Sequence, residues 1–327
     1  MSTKFTILLP VYNGIRYIER ALNSVLNQNY NNFELIIVND GSFDGTQIIC
    51  EKFEELYSFI NLYNKENEGI ASARNFALKK AFERNSDTKI MWLDADDELK
   101  PGLLNHLNNL FLSHPNCKLI FYDYELINDG GTTYNSFINS RYQKFGLQQG
   151  DDLLSQLLIG DINNYLWAFA ADLHLYTDII FPLGKKYEDV ASVYKILLKL
   201  DYGYISDFNG YKYYVDNQMS LTKNFSLGDA FDLFQIVKDM ELFRNELPFG
   251  LVEVFQSIYL INIMINLATC KDPISIELLD EIEVYFKKIK RYLKYQNYKN
   301  SRYFFKILVM KFSMLRFVYK IKGIIVK

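Results

Sequence analysis

A chain of 327 residues with 49% hydrophobic and 23% charged residues has globular rather than disordered composition, and it is long enough for one large domain with a smaller one appended. The formal net charge is −3 but uneven: Lys287 to Lys327 hold 13 Lys or Arg and no Asp or Glu, leaving 23 basic against 39 acidic residues elsewhere, which suggests an acidic surface as partner for the tail, and no nucleic-acid partner is expected. Cys50, Cys117 and Cys270 are odd in number and form no CxxC pair, which argues against a disulfide framework or zinc site and predicts a reducing, cytoplasmic setting.

Phe5–Leu9 is an apolar run ending at Pro10, and Tyr17, Ile18, Ala21, Leu22, Val25 and Leu26 recur at helical spacing. Further strands are expected at Glu34–Val38, Ile60–Tyr63 and Lys89–Leu93, with helices over Thr46–Tyr57 and Ala71–Phe82. Such alternation implies parallel pairing with right-handed crossovers, and sheets of that kind bind ligands beyond the carboxyl ends of their strands. Each strand is followed there by a polar cluster: Pro10-Val11-Tyr12-Asn13-Gly14, Asn39-Asp40-Gly41-Ser42, Asn64 to Gly69, and Asp94-Ala95-Asp96-Asp97. A mixed region to about Thr222 includes a helical pattern over Asp189–Leu200 and aromatic strands Tyr204–Phe208 and Tyr211–Val215. From Phe225 the pattern is helical, and Val254–Cys270, interrupted by Gln256, Asn262 and Asn266, reads as a buried helix rather than a membrane span. No export signal is visible before the first strand.

Asp94 and Asp96 close an apolar strand, and alternate side chains of an extended segment share a side, so both can address one point. Their hard oxygens suit Mn²⁺ or Mg²⁺, which complete their shells with water and substrate phosphates; a solvated turn capping the following helix is the alternative. Asp40 sits in a tight turn and can accept a hydrogen bond from a uracil-like ring N–H. Asp44 or Thr46 can cap the next helix. Around Gly69 small residues would let a backbone approach a ligand, and Arg74 offers a fork to phosphate or to a local carboxylate. Glu188-Asp189 reads either as a helix cap or, for Asp189, as a general base. The absence of HExxH, GxSxG, GxxxxGK[ST] and GxGxxG patterns argues against zinc-protease, serine-nucleophile, P-loop and dinucleotide chemistry.

The ordered set Thr6 to Asn13, Ser24 to Gln28, Glu34 to Thr46, Asn67 to Asn75, Trp92 to Asp97 and Tyr187 to Val190 resembles the inverting family 2 glycosyltransferases. The resemblance implies a GT-A fold, an α/β Rossmann-like architecture with a mostly parallel sheet flanked by helices, over residues 1–222, with a helical, basic extension over 223–327. It implies that Pro10, Val11, Tyr12, Asn13, Asp40, Gly69, Arg74, Asp94 and Ala95 bind the nucleotide sugar, that Asp94 and Asp96 hold Mn²⁺ or Mg²⁺, and that Asp189 is the catalytic base. Trp167 and Glu188 are assigned to the acceptor side. The implied reaction moves one sugar, a hexose or N-acetylhexosamine, from a nucleotide-diphosphate donor of the UDP type to a hydroxyl of a bacterial surface glycan or lipid-linked acceptor. A catalytically silent sugar-nucleotide-binding scaffold is the alternative. The QxxRW signature of processive synthases is missing at Gln218 to Thr222, and Asp216-Asn217-Gln218 stand where relatives often place Arg or His. In Arg302–Lys322 aromatic and aliphatic residues alternate with basic ones only, which suits either an anionic membrane surface on the cytoplasmic side or a homo-oligomer contact.

Overall fold

The computed structural model describes residues 2–85, 87–128, 131, 133–134, 144–215, 225–248, 250–267, 276–299, 303 and 307. The chain forms two compact units that interleave in sequence. The first comprises Met1–Gly150, Tyr165–Gly184 and Ala191–Gln218, and the second Asp151–Asn164, Lys185–Val190 and Met219–Lys327. Two short stretches of the region expected to be one contiguous domain thus belong to the helical unit.

The first unit opens with β1 (Phe5–Val11), α1 (Ile18–Leu26), β2 (Phe33–Asp40), α2 (Thr46–Leu56), β3 (Ile60–Lys65), α3 (Ile70–Arg84) and β4 (Lys89–Trp92). There follow β5 (Glu98–Leu99), α4 (Leu103–Ser113), β6 (Leu119–Ile127), β7 (Thr133–Tyr134), β8 (Gly146–Gln149), α5 (Gly150–Leu158), β9 (Phe169–Asp172), α6 (Val193–Leu197) and β10 (Tyr202–Tyr214). From Asp151 onward α5 belongs to the second unit. The sheet runs β3-β2-β1-β4-β9-β6-β10-β5. β3, β2, β1 and β4 are parallel neighbours, β9 is antiparallel to both β4 and β6, and β10 is parallel to β6.

All seven residues of β1 are buried, as suits a central parallel strand covered on both faces. α1 buries Ile18, Ala21, Leu22 and Val25 as one stripe, and α3 contacts β1 and β2 while burying Ala71, Ala73, Ala77 and Ala81. Pro10 lies inside β1 without disturbing the ladder. The Leu8 carbonyl accepts the Leu93 N–H, so residues 8 and 10 both face β4, and pairing with β4 has already ended at Leu8–Trp92.

Two elements differ from the pattern read along the chain. The helix expected over Val190–Leu200 is reduced to Val193–Leu197, because Tyr187 adopts a φ of 65° and Asp189 Oδ1 accepts the Val190 N–H at 2.7 Å, turning the backbone before the helix starts. The two aromatic strands are one strand, β10, whose register against β6 shifts on either side of Asn209. The Asn209-Gly210 signal marks a bulge, and Gly210 stands where an added Cβ would overlap the Leu103 side chain of α4.

Cys50 and Cys117 are buried, and burial pushes their thiols up to about 12 and about 11. In a Cys270→Ser background, neither is expected to react with a thiol reagent at about pH 8 until the protein is denatured. Rapid labelling of the folded protein would contradict this.

The second unit contains α7 (Leu227–Asp239), α8 (Leu251–Leu267), α9 (Ile276–Lys290) and α10 (Tyr295–Tyr298). A capping box opens α7, with Ser226 and Asp229 each accepting the other's backbone N–H. The buried Gln256 of α8 donates to the Val237 carbonyl at 3.0 Å and to Tyr285 Oη at 2.8 Å, while buried Glu253 pairs with Arg244. These bonds lie within the unit, and they leave Glu253 Oε2 and Gln256 Oε1 buried without a hydrogen-bond partner among the described residues. Among the described residues no helix is long and apolar enough to cross a membrane. Of the segment Arg302–Lys322 only Tyr303 and Ile307 are described, and Asp216-Asn217-Gln218 lie outside the described residues.

Candidate active site

Because β3, β2, β1 and β4 run parallel, the loops that follow them gather along one sheet edge. They are fastened to one another. Asn13, in the left-handed region at φ 48°, donates its N–H to Ser42 Oγ at 2.9 Å and accepts the Phe43 N–H on Oδ1 at 3.0 Å. Ile15 N–H donates to Asp44 Oδ2 at 3.1 Å, and Asp44 Oδ1 accepts the Thr46 N–H at 3.0 Å, although the N-cap position of α2 itself is Gly45 rather than Asp44 or Thr46. Burial works against the Asp44 charge, but the Thr46 hydroxyl and these N–H groups outweigh it and lower its pKa. Pro10 and Val11 are buried, whereas Tyr12 is half exposed and meets Phe43 edge-on at 6.2 Å.

Asp40 is only 2% exposed. Its Oδ1 accepts from Lys65 Nζ at 2.7 Å and from the Glu68 N–H at 3.2 Å, and its Oδ2 accepts the Gly69 N–H at 2.8 Å. Asp40 therefore organises the loop after β3, with three of the roughly four lone-pair positions of a carboxylate in use. Lys65, which the motif reading passed over, bridges Asp40 and Glu68; burial opposes its charge, but the two carboxylates prevail and raise its pKa. Gly69 has φ +90°, and a Cβ there would meet nothing within 4 Å, so the backbone lies open to an approaching group. Gly41, also at positive φ, sits where a Cβ would come within 2.7 Å of the Asn67 nitrogen, so these two loops require glycine to close against each other.

Beyond β4, Asp94, Ala95 and Asp96 are partly exposed and Asp97 is fully buried. Arg74, itself 6% exposed, donates to Asp94 Oδ1 at 3.1 Å and lies over the Trp92 ring at 5.6 Å. Of the two partners foreseen for Arg74, phosphate and local carboxylate, the structure contains the second. A Cβ built on Gly14 would lie 3.8 Å from Ala95 Cβ, which puts the loop after β1 against this turn. Asp97 faces inward: Oδ2 accepts the Tyr211 hydroxyl at 2.9 Å and Oδ1 accepts the Tyr214 N–H at 2.9 Å. Burial, then the charges of Asp96 and Asp94, push its carboxyl well above the usual range.

Trp167 requires a correction. Its ring is 4% exposed and sandwiched between Tyr165 at 4.7 Å and Tyr211 at 4.4 Å, so no acceptor sugar can stack on it. Glu188 and Asp189 belong to the second unit, where Glu188 is buried and Asp189 is partly exposed. Their segment is tied to α7, with the Lys186 ammonium 2.9 Å from Asp229 and its N–H donating to Asp232 at 3.3 Å. Burial first, then Asp229, Asp189 and Asp232, raise the pKa of Tyr187.

Among the described residues no three His, Cys, Asp or Glu side chains cluster to hold a metal unaided. Two hard carboxylates on one turn fit Mn²⁺ or Mg²⁺ only where a diphosphate and water complete the shell. A cleft of about 620 Å³ on the α1 and β5 side contains Arg20, Glu98 and Lys212, whose charges pair with one another, and none of the candidate nucleotide residues.

The sheet order and its flanking helices define an α/β protein of GT-A architecture. Residues 6–165 match the family model Glycosyl transferase family 2. The putative teichuronic acid biosynthesis glycosyltransferase TuaG of Bacillus subtilis is 35% identical over 156 residues, 47% of this chain and 58% of that protein. GlyA, a glycosyltransferase of Streptococcus pneumoniae, is 27% identical over 198 residues, 58% of this chain and 27% of that one. The matches thus cover less than two thirds of these relatives. S. aureus TarS residues 1–349 in complex with UDP-GlcNAc superimposes with a TM-score of 0.70 at 16% identity, covering 97% of this chain and 92% of that one. At that identity the likeness concerns the fold.

Proposed function

We propose that this chain is a metal-dependent inverting glycosyltransferase that moves one sugar, a hexose or N-acetylhexosamine, from a UDP-sugar to a hydroxyl of a growing bacterial surface polymer. The observation that carries this reading is the Asp94-Ala95-Asp96 turn, which stands beside Arg74 and against the loop after β1 at the carboxyl edge of a parallel sheet. Surface-polymer chemistry is supported by TuaG and by the minor teichoic acid biosynthesis proteins GgaA and GgaB of Bacillus subtilis, and a UDP-linked donor by the TarS complex.

In this reading the Pro10–Asn13 loop, Asp40 and the open backbone at Gly69 bind the nucleotide, with the remaining lone pair of Asp40 accepting the ring N–H. Arg74 orients Asp94, while Asp94 and Ala95 lie along the ribose and diphosphate. A divalent cation bound at Asp94 and Asp96 would neutralise charge growing on the departing diphosphate. Asp189 takes the acceptor proton as the acceptor oxygen attacks the anomeric carbon, and the diphosphate leaves from the opposite face. The single displacement inverts configuration and needs no covalent enzyme intermediate. Incubation with a panel of nucleotide sugars and Mn²⁺, followed by UDP release, tests the reading. Slow, EDTA-sensitive release with at least one UDP-sugar is expected, and binding without release or transfer to any acceptor would leave a silent scaffold.

The basic segment Arg302–Lys322 fits the surface where a lipid-linked acceptor is presented, since each basic residue near an anionic leaflet contributes about 1 kcal/mol. Salt-sensitive sedimentation with anionic but not neutral vesicles is expected, and failure to bind anionic vesicles would remove the membrane from the scheme.

A further inference from the structure

The main chain of the Asp94–Asp96 turn is gripped at both ends by side chains distant in sequence. At one end the Asp94 N–H donates to Tyr211 Oη at 3.2 Å, and the same hydroxyl donates to Asp97 Oδ2 at 2.9 Å. Tyr211 has no freedom to swing away, because it is fully buried in β10 and stacked on Trp167 at 4.4 Å with 7° between the planes. At the other end Arg20 of α1 donates to the Asp96 carbonyl. The guanidinium lies 3.5 Å from the centre of the Tyr214 ring and 3.4 Å from Glu98, and the Tyr214 N–H completes Asp97 at 2.9 Å. One strand, β10, and one helix, α1, thus converge on two backbone groups, the amide of Asp94 and the carbonyl of Asp96.

We propose that Tyr211 and Arg20 are positioning residues that fix the Asp94–Asp96 backbone before a metal and diphosphate arrive, so that the two carboxylates meet the ion without first ordering a loop. This rests on the metal-diphosphate reading above. The physical basis is preorganisation: a turn already held by buried partners loses little conformational freedom on binding, whereas a loose one loses more and binds more weakly. The role also explains why a Trp with both faces covered lies beside the site. Trp167 supports the ring whose hydroxyl holds Asp94.

The test uses the full chain and two readouts. Hydrogen exchange over residues 93–99 reports the grip itself, and calorimetric titration of UDP with Mn²⁺ or with EDTA reports its consequence. Tyr211→Phe keeps the stacked ring and removes only the hydroxyl. It is expected to speed exchange in that segment and to weaken Mn²⁺-supported UDP binding by about 10- to 100-fold, the range for losing an orienting partner behind a metal ligand, with UDP affinity in EDTA unchanged. Arg20→Lys, which keeps the charge but loses the planar fork, is expected to act in the same direction and decides the matter if Tyr211→Phe does not fold. Tyr30→Phe removes a hydroxyl bonded to Thr3 and Asn108 and is expected to change neither readout. Unchanged exchange over residues 93–99 in Tyr211→Phe would overturn the grip. Equal losses in Tyr30→Phe would overturn it as a general destabilisation. Faster exchange in a protein whose parent shows no Mn²⁺ effect on UDP would show that the metal reading has failed, and the positioning role would fall with it.

Discussion

Replacing Asp189 by Asn is expected to lower turnover by roughly 10²- to 10⁴-fold, the usual contribution of a positioned general base, while UDP-sugar affinity stays within about a factor of two. The substitution is informative because of the local backbone. Asp189 Oδ1 accepts the Val190 N–H at 2.7 Å, and the amide oxygen of Asn can accept the same bond, so the turn between Tyr187 and α6 is retained. What disappears is the capacity to take a proton. Turnover measured by UDP release, with donor affinity measured separately by calorimetry, distinguishes this from a binding defect. Equal turnover by the two proteins would remove Asp189 from the mechanism.

Asp96→Ala is expected to abolish the Mn²⁺ dependence of UDP binding and to cost about 10²- to 10³-fold in turnover, in the range for removing one group that stabilises developing charge. The described residues contain no third carboxylate near enough to substitute. Asp97 cannot turn outward without abandoning the Tyr211 hydroxyl and the Tyr214 N–H, two buried bonds each worth about 0.5–1.5 kcal/mol. Ala keeps the main-chain carbonyl that Arg20 holds, so the turn persists and the loss reports the carboxylate alone. Mn²⁺-dependent UDP binding that survives the substitution would place the metal elsewhere.

The first half of the sheet was legible because its signals are local. β1 and β2 are continuous apolar runs, α1 and α2 carry helical periodicity, and parallel pairing then fixes which loops share an edge. β6 to β9 did not stand out: β7 has two residues, β9 has four, and the nine of β6 include Asp123, Glu125 and two Tyr, so no clean alternation announces them. The outward-facing part of the site was readable as motifs after strands. Its supports were not, since Tyr211 lies 117 residues from Asp94 and Arg20 lies 76 from Asp96, and nothing periodic links them. Asp97 was visible as the third carboxylate in its cluster, but only burial shows that it anchors while its neighbours are partly exposed.

The interleaving of the two units bears on how such proteins can be recombined. Lys185–Val190, which carries Asp189, packs with the helical unit, as does Asp151–Asn164, and Lys186 is fastened to Asp229 and Asp232 of α7. A chimera cut once near residue 222 would pair a foreign helical half with native segments evolved to fit another, and it would strand the residue assigned as base among unfamiliar neighbours. Exchange between relatives would have to move three separate pieces together. The helical half and Lys185–Val190 form one packing unit, so an exchange that keeps their contacts has to carry both.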